Sequence, residues 1–587
     1  MLMHDSHDAH YRTPGGPAPA GETVLIRFEA DDVQGVTLRT WTYREELIPM
    51  DRAGRTTYEA TVTLPDAPGL FWYDFIIETQ DGKVLRYGNA RDMLGGEGTL
   101  YRDGEEFHSF QITVYDPAFA TPEFMHSANI YQIFPDRFRR AATESVDDRT
   151  DRYVHENWDE DLLRYRDGRN GEHMELDFFG GTLTGIQEKL PYLKQLGIDV
   201  LYLNPIFRAR SNHRYDTGNY MQIDPLLGTQ AEFEQLCKAA QALGMSVMLD
   251  GVFSHTGEDS RYFNRLGHYD SIGAYQSKES PYYRWYTFKH YPDQYNSWWG
   301  ITSLPECRKD EPSYRRFMFQ DETGVVPRWI HAGADGWRLD VADELSMDFL
   351  RKLRIAAKKA RPDAVVLGEV WEDASNKIAY GEMRCYCTGD TLDSVMNYPL
   401  REAIINFVTG KIPAADLARL VRHQAEVYPT PFRYALMNLV GSHDRCRVLN
   451  MLVDCSGEGL SKDEQQDLTL TPDEYALAVQ RYKTCIDILC ALPGCPTIYY
   501  GDEAGLTGAP DPFCRRPFPW GHEDKALQHY VSDKLTHRQR SQILRFGLCD
   551  VDAPDADTLV IRRWIDGEDA FGHASSTHES QVIIIKR

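Results

Sequence analysis

The sequence has 587 residues, with 64 Lys and Arg against 89 Asp and Glu, so its formal net charge is −25 at pH 7. This acidity argues against a nucleic-acid-binding protein, because phosphate backbones are bound by concentrated positive charge. Hydrophobic residues at 42% and charged residues at 26% are typical of a soluble globular protein, which excludes a disordered or collagen-like chain.

No run of 18 apolar residues is present and the N-terminus is polar, so neither a membrane span nor a cleaved export signal is predicted. The 11 Cys are scattered and none forms a CxxC pair. This pattern predicts isolated buried thiols, with a metal site at Cys385 and Cys387 or at Cys490 and Cys495 as the alternative. A cytoplasmic, reducing location fits this cysteine usage best.

Residues 1–120 are predicted to form an N-terminal β-sandwich, because short β-rich runs follow one another with turn sequences between them and no helical period. Trp41, Phe71, Trp72 and Tyr73 lie in two of these runs. Aromatic residues in strands are usually core, which makes the unit a structural or dimerising appendage. The alternative is a carbohydrate-binding module whose rings stack on sugars.

Residues 121–540 are predicted to form a (β/α)8 barrel of the α/β class, since eight short apolar runs alternate with helix-length segments. The runs are 128–134, 198–203, 246–250, 336–340, 364–369, 394–398, 434–440 and 496–501. An insertion at about 254–312, rich in Tyr, Trp and His, follows the third run and should lie at the catalytic face of the barrel. Residues 541–587 are predicted to be a short C-terminal β domain.

Charged residues close several of the predicted strands, at Asp250, Arg338, Asp340, Glu369 and the pair His443 and Asp444. Parallel barrel strands bring these ends to one rim. Like charges this close must be balanced by a cation or a proton, which indicates acid–base or nucleophilic chemistry. The alternative, that each charge only solvates a loop, explains single positions better than the set.

Two such carboxyls suit glycoside hydrolysis, in which one attacks the anomeric carbon and the other protonates the leaving oxygen. Arg338 lies two residues before Asp340, on the same strand face, and we expect it to lower the pKa of Asp340 and keep this nucleophile ionised. Glu369 follows an apolar strand and precedes Trp371, which predicts a raised pKa and the role of acid. Side chains suited to sugar recognition are His213, Tyr215, His255, Trp371 and His443.

Six motifs stand in order along the chain: YLNPIFRARSNHRYDTGNY (202–220), DGVFSH (250–255), GWRLDVADE (336–344), GEVW (368–371), GSHD (441–444) and GCPTIYYGDEAG (494–505). Because of these motifs, the sequence over about 120–520 resembles the α-amylase superfamily, glycoside hydrolase family 13. Within that superfamily it resembles the neopullulanase, cyclomaltodextrinase and maltogenic amylase group. An N-terminal sandwich before the barrel is typical of that group. Ser254 and Asp343 stand where relatives commonly carry Asn, and Asp343 precedes Glu344 near the entry for an acceptor sugar or water.

The resemblance implies a role for each matched residue. Asp340 would be the nucleophile, Glu369 the general acid and then base, and Asp444 the group that grips sugar hydroxyls. The supporting residues would be Arg338 and Asp250 beside the nucleophile, His255 and His443 as hydroxyl donors, Tyr215 stacked beneath the glucose, and Asp511 and Arg515 at the next sugar. A loop salt bridge is the alternative for Asp511 and Arg515.

No cofactor is expected to be required. Some relatives bind Ca²⁺ after the first strand, and oxygen ligands are available here in Asp136, Asp147, Asp148 and Asp177, although no clear calcium motif is present and surface acids are the alternative. The expected partners are α-glucan oligosaccharides, with neither nucleic acid nor membrane. Analogy with the group implies a homodimer through the N-terminal domain.

The predicted function is a retaining α-glucan hydrolase of maltooligosaccharides and cyclodextrins, with pullulan or starch as the widest range. One alternative is a transglycosylase of the same fold. The other is a non-catalytic glucan-binding scaffold, which would have lost an acid, whereas Asp340, Glu369 and Asp444 are all present.

Overall fold

The N-terminal region folds into two β-sheets in a computed structural model that describes residues 1–163 and 174–587. One sheet has five strands and the other seven, and they share an apolar core of their own. The strands are Leu2–Met3, Arg12–Thr13, Ala18–Pro19, Thr23–Ala30, Val33–Trp41, Glu45–Pro49, Asp51–Arg52, Thr57–Thr63, Gly69–Thr79, Val84–Gly88, Thr99–Tyr101 and Phe110–Tyr115. The predicted β-sandwich is therefore confirmed.

Successive side chains point to opposite faces of each strand, and this alternation decides which of them form the sandwich core. Side chains two apart on a strand share a face, so Val24, Ile26 and Phe28 all reach the core. Of the four aromatic residues singled out above, Phe71 and Tyr73 are buried in the same core. Trp41 and Trp72 lie on the opposite face, and Trp41 is 38% exposed.

Eight parallel strands form the barrel, and they follow chain order around it. They are Ile130–Ile133, Val200–Leu203, Ser246–Gly251, Gly336–Leu339, Val365–Gly368, Ser394–Val395, Met437–Leu439 and Cys495–Tyr499. A parallel bridge between Met396 and Met437 joins the sixth strand to the seventh and closes the sheet. Each strand begins within one of the predicted apolar runs or one residue before it, and the predicted (β/α)8 barrel is confirmed.

Helices connect the barrel strands and cover them from outside. They are Leu183–Glu188, Leu190–Leu196, Gln230–Ala242, Pro312–Arg315, Val325–His331, Met347–Ala360, Tyr398–Val408, Ala414–Val427, Thr430–Ala435, Val448–Met451, Lys462–Gln466, Pro472–Ala491, Lys525–Arg540 and Gln542–Phe546. Local sequence sets where several of them begin. Thr229 with Glu232, and Thr471 with Glu474, form reciprocal capping boxes that satisfy free amides of the first turn.

Short antiparallel pairings lie in the segments that follow the barrel strands, at Phe207–Ala209 with Thr217–Ile223, Phe288–His290 with Gln294–Tyr295, and Lys377–Ala379 with Glu382–Arg384. A further short pairing joins Tyr153–Val154 to Asp177–Phe178. The chain ends in an antiparallel sheet of Leu548–Asp555, Thr558–Glu568 and Ala574–Lys586, which packs on the barrel helices.

All eleven cysteines lie in the described residues, and each is a free thiol. Cys385 and Cys387 have sulfur atoms 4.0 Å apart, and both are buried. Across residues 1–163 and 174–587, no helix has the length and apolar character that crossing a membrane requires.

Candidate active site

The carboxyl ends of the barrel strands open into one cleft of about 1020 Å³. Nine of the residues predicted for catalysis or sugar recognition line it: His213, Tyr215, His255, Asp340, Glu369, Trp371, Asp444, Asp511 and Arg515. Asp250, Arg338 and His443 are buried beneath them and contact them directly. The structure therefore brings all the predicted site residues to one place.

Arg338 connects the two carboxyls at the centre of this cleft. Its Nη1 donates to Asp340 Oδ1 at 3.0 Å and to Asp250 Oδ1 at 2.9 Å. Its Nη2 forms an ion pair with Glu369 Oε2 at 3.0 Å. The guanidinium therefore contacts both carboxyls, Asp340 as expected and Glu369 in addition.

Burial dominates the ionisation of these carboxyls. It raises the pKa of Asp340 well above the usual range, and the charge of Arg338 offsets this only in part. Burial likewise raises the pKa of Glu369, again opposed by Arg338. The expected lowering of the pKa of Asp340 is thus reversed. One guanidinium cannot balance the carboxyls gathered here, so the pair of Asp340 and Glu369 holds a proton to higher pH than free carboxyls do.

Glu369 is held by one ion pair and two hydrogen-bond donors, from three parts of the chain. Besides Arg338, the backbone amide of Val341 donates to Oε2 at 2.8 Å, and the indole N–H of Trp371 donates to Oε1 at 3.0 Å. The Trp371 ring stacks on Tyr398 at 4.0 Å, and the Arg445 guanidinium lies 4.6 Å from its centroid. Trp371 therefore orients the carboxyl, with its ring held between protein groups.

Asp250 is held by two tyrosines as well as by Arg338. The hydroxyl of Tyr202 donates to its Oδ2 at 2.6 Å, and that of Tyr215 donates to the same oxygen at 2.8 Å. The Tyr215 ring lies parallel to that of His443, with centroids 5.3 Å apart. This network fixes Tyr215 at the wall of the cleft.

His443 is a neutral imidazole in this site. Burial, with Arg515 and Arg338 nearby, lowers its pKa well below the usual range. Gln132 Nε2 donates to Nδ1 at 2.8 Å, which leaves the ring hydrogen on Nε2. That nitrogen lies 2.6 Å from Tyr215 Oη and 3.1 Å from Asp444 Oδ1. His443 thereby positions Asp444 from below.

His255 presents a nitrogen that has no hydrogen-bond partner among the described residues, namely its buried Nε2. Burial lowers the pKa of His255 to about 3, so the ring is neutral. Ser254 Oγ lies 2.7 Å from Nδ1. When the serine hydroxyl donates to Nδ1, Nε2 carries the hydrogen and can donate to a sugar hydroxyl. Ser254, the residue that replaces the commoner Asn, thus orients His255.

Asp511 and Arg515 form an ion pair at 2.7 Å and both line the cleft. Arg515 Nε also donates to the backbone oxygen of His443 at 3.1 Å. Asp511 and Arg515 therefore form a salt bridge and also line the cleft. Arg515 links this pair to His443 at the centre of the site.

Sequence reasoning missed two aromatic tips at the cleft. Trp299, 75% exposed, donates from its indole to Glu344 Oε1 at 3.2 Å, and Tyr380, 67% exposed, donates its hydroxyl to the same carboxylate. Asp343 lies alongside, paired with Lys377 Nζ at 2.6 Å. The aromatic composition of the insertion was a signal for Trp299. No sequence signal marked Tyr380, which lies at the tip of a hairpin after the fifth strand.

The four candidate calcium ligands each form an ion pair with a different residue. Each carboxylate has its own partner: Asp136 with Arg137, Asp147 with Arg152, Asp148 with Arg208, and Asp177 with His155. Within the described ranges, no group of three or more His, Cys, Asp or Glu could hold a metal ion. These residues as placed do not fit a shared calcium site.

Comparisons with known proteins match this architecture. Residues 132–540 match the family described as Alpha amylase, catalytic domain. The chain is 38% identical over 644 residues to an amylopullulanase of Thermoanaerobacter thermohydrosulfuricus, covering 100% of this chain and 42% of the relative. It is 34% identical over 439 residues to neopullulanase 2 of Thermoactinomyces vulgaris, covering 73% of this chain and 65% of the relative.

Among solved structures, the cyclic alpha-maltosyl-(1→6)-maltose hydrolase from Arthrobacter globiformis has a TM-score of 0.63 and 31% identity, covering 77% of this chain and 90% of that chain. The chain spans less than half the length of the amylopullulanases that it matches.

Proposed function

The chain belongs to the α-amylase family of glycoside hydrolases, and from this premise we propose that it cleaves α-glucosidic bonds with retention of configuration. Its substrates are maltooligosaccharides and cyclodextrins, with pullulan and starch as further candidates. The relatives are named for hydrolysis of such glucans. The observation that carries the proposal is the bridging of Asp340 and Glu369 by one guanidinium at the mouth of the barrel.

The geometry supports a double displacement. Carboxyls that share one guanidinium fit the separation of about 5–5.5 Å in retaining enzymes better than the ~6.5–9.5 Å of inverting ones. Asp340 attacks the anomeric carbon while Glu369 gives its proton to the leaving oxygen. Glu369 then takes a proton from a water molecule whose oxygen attacks the anomeric carbon, and the bond from that carbon to Asp340 breaks.

The surrounding residues act on the sugar rather than on the bond. Asp444, with His443 beneath it, accepts hydrogen bonds from ring hydroxyls, and His255 Nε2 donates to another. Tyr215 packs against the ring face. Asp511 and Arg515 extend the contact to the neighbouring sugar. None of these steps needs a metal ion or a cofactor.

Two further proposals concern the cellular compartment and the oligomeric state of the protein. The free thiols of all eleven cysteines support a reducing compartment such as the cytoplasm. A homodimer through the N-terminal sandwich is proposed by analogy with the fold group alone.

A second candidate activity is glycosyl transfer to a sugar acceptor. Trp299 and Tyr380 enclose Glu344 at the cleft wall, where aromatic rings favour a sugar over water. Hydrolysis and transfer share the covalent intermediate and differ only in what attacks it.

The deciding experiment is product analysis by chromatography on maltotriose, β-cyclodextrin, pullulan and starch, side by side. Glucose and maltose as main products support hydrolysis, whereas oligosaccharides longer than the donor support transfer. Absence of any cleavage of all four substrates by folded protein would refute both.

A further inference from the structure

Arg445 is a cation of the cleft whose side chain has no polar partner in the part of the chain that the structure describes. The cleft is lined by four Lys and Arg residues: Arg210, Arg445, Lys462 and Arg515. The other three each donate to an oxygen of Asp151 or Asp511. Among the described residues, Arg445 makes neither a side-chain hydrogen bond nor an ion pair, and its Nε is buried. A buried donor without a partner is costly, and a bound ligand would satisfy it.

The guanidinium of Arg445 covers one face of the Trp371 ring. Its central carbon lies 4.6 Å from the ring centroid. Tyr398 stacks on the same ring at 4.0 Å, with planes 6° from parallel, so the guanidinium lies over the opposite face. A cation over an indole is held by the negative face of the ring and spends none of its N–H donors on this contact. Arg445 is therefore positioned at the cleft wall with its donors free.

The charge of the cleft decides which groups can use these donors. Eleven Asp and Glu residues line the cleft, against the four Lys and Arg. An anionic ligand would be repelled by this excess of negative charge. A neutral ligand with hydroxyls avoids the repulsion, and a charged donor gives each hydroxyl a stronger hydrogen bond than a neutral donor does. The hydroxyls of a sugar fit this requirement, and the choice of an α-glucan rests on the function proposed above.

Arg445 also affects which α-glucans can bind at this wall. A cyclodextrin carries its hydroxyls at the rims of its ring and has an apolar inner wall, which packs well on a bare aromatic side chain. Neither face of Trp371 is bare, because Tyr398 covers one and Arg445 the other. A linear maltooligosaccharide presents hydroxyls along its length, and these can accept hydrogen bonds from the guanidinium.

We propose that Arg445 is a specificity-determining residue, which binds hydroxyls of linear maltooligosaccharides beside Glu369 and disfavours cyclodextrins at the Trp371 wall. The indole N–H of Trp371 donates to Glu369 Oε1 at 3.0 Å, so this wall adjoins the carboxyl that protonates the leaving oxygen. Replacing Arg445 leaves that hydrogen bond and the stacking on Tyr398 in place. The residue therefore acts on substrate affinity rather than on bond cleavage.

The test is steady-state kinetics on maltotriose and β-cyclodextrin. Arg445→Ala removes the donors and uncovers Trp371, whereas Arg445→Met removes the donors but keeps a long side chain over the ring. We expect each variant to raise KM for maltotriose by about tenfold or more with kcat nearly unchanged, because hydrogen bonds from a charged donor are lost. The ratio of kcat/KM for β-cyclodextrin to that for maltotriose should rise by about the same factor. Arg445→Met keeps most of the packing and carries the test if Arg445→Ala fails to fold.

Arg328→Ala is the matched control, because this guanidinium also lies over a tryptophan, 5.7 Å from the Trp329 centroid, but does not line the cleft. It should leave the ratio unchanged. An unchanged KM for maltotriose in the Arg445 variants, or an equal loss on both sugars, would overturn the inference, while cleavage by the wild-type chain upholds the proposed function. A wild-type chain that cleaves neither sugar would overturn the inference too, and pullulan and starch then decide whether the proposed function stands.

Discussion

The guanidinium of Arg338 lies 3.0 Å from the carboxylate of Glu369, although Arg338 is on the fourth barrel strand and Glu369 directly follows the fifth. Because it holds Asp340 as well, its charge opposes the effect of burial on the pKa of both central carboxyls. Lysine keeps the charge but cannot reach two carboxylates with separate nitrogens. We expect Arg338→Lys to lower kcat/KM by about tenfold or more and to move the acid limb of the pH profile upward. Arg354→Lys, at an ion pair with Asp393 that does not line the cleft, is the control and should change neither.

Asp340→Asn removes the nucleophile but keeps its shape. We expect kcat to fall by several orders of magnitude, while maltotetraose binding stays measurable, because the other cleft contacts remain. Asp343→Asn makes the same chemical change three residues away and should lower kcat by less than about tenfold. Steady-state kinetics and titration calorimetry on both variants decide this. Equal losses in the two variants would contradict the assigned role of Asp340.

The pH dependence of kcat/KM should be bell-shaped, because activity needs one proton on the pair of Asp340 and Glu369. Burial raises the pKa of both groups, so both limbs should lie above the values of free carboxyls, about 3.9 and 4.3. Activity is lost at low pH as the pair gains its second proton and at high pH as it loses the last one. Glu369→Gln should abolish the alkaline limb and lower kcat by ~10²–10⁴-fold. A kcat/KM that does not change with pH would contradict the proposal that Asp340 and Glu369 share one proton.

Tyr380, at the tip of the hairpin after the fifth barrel strand, should increase the share of transfer products. Tyr380→Ala removes an aromatic ring and a hydroxyl that contacts Glu344, so we expect a smaller share of transfer products from maltotriose. Ile378→Ala is the matched control, since this side chain is 73% exposed in the same hairpin but does not line the cleft. Product ratios measured at high maltotriose concentration compare the two. Equal ratios would show that the tip has no part in acceptor binding.

Glu503 is a buried carboxyl whose Oε1 accepts hydrogen bonds from Tyr131 at 2.7 Å and Tyr192 at 2.6 Å. Burial raises its pKa to about 7. Because the folded pKa exceeds the unfolded value of about 4.3, this group stabilises the fold fully below that pH and loses the effect as pH rises through 7. We expect the free energy of unfolding of Glu503→Gln, relative to wild type, to rise by about 3 kcal/mol between pH 4 and pH 8. Denaturant titrations at several pH values check it, and parallel curves would contradict it.

The sequence alone determined the barrel and the gathering of the site. Apolar runs separated by helix-length segments predict parallel strands, and parallel strands of a barrel bring their carboxyl ends to one rim. Asp250, Arg338 and Glu369 could therefore be placed together, because each stands at the end of such a run. The motif residues Tyr215, His255 and Asp444 were placed by resemblance, and the structure puts them at the same cleft.

The tertiary structure alone decided which partners these groups share and how they ionise. No local pattern indicates that Arg338 reaches Glu369, that burial outweighs its charge at Asp340, or that Arg12 pairs with Glu426 over four hundred residues away. Both faces of the strand Gly69–Thr79 carry aromatic residues, and only the packing of the sandwich shows that Tyr73 is fully buried while Trp72 is not. The reason is physical: strand period and chain order are local properties, whereas desolvation and side-chain contact depend on what the rest of the chain packs against each face.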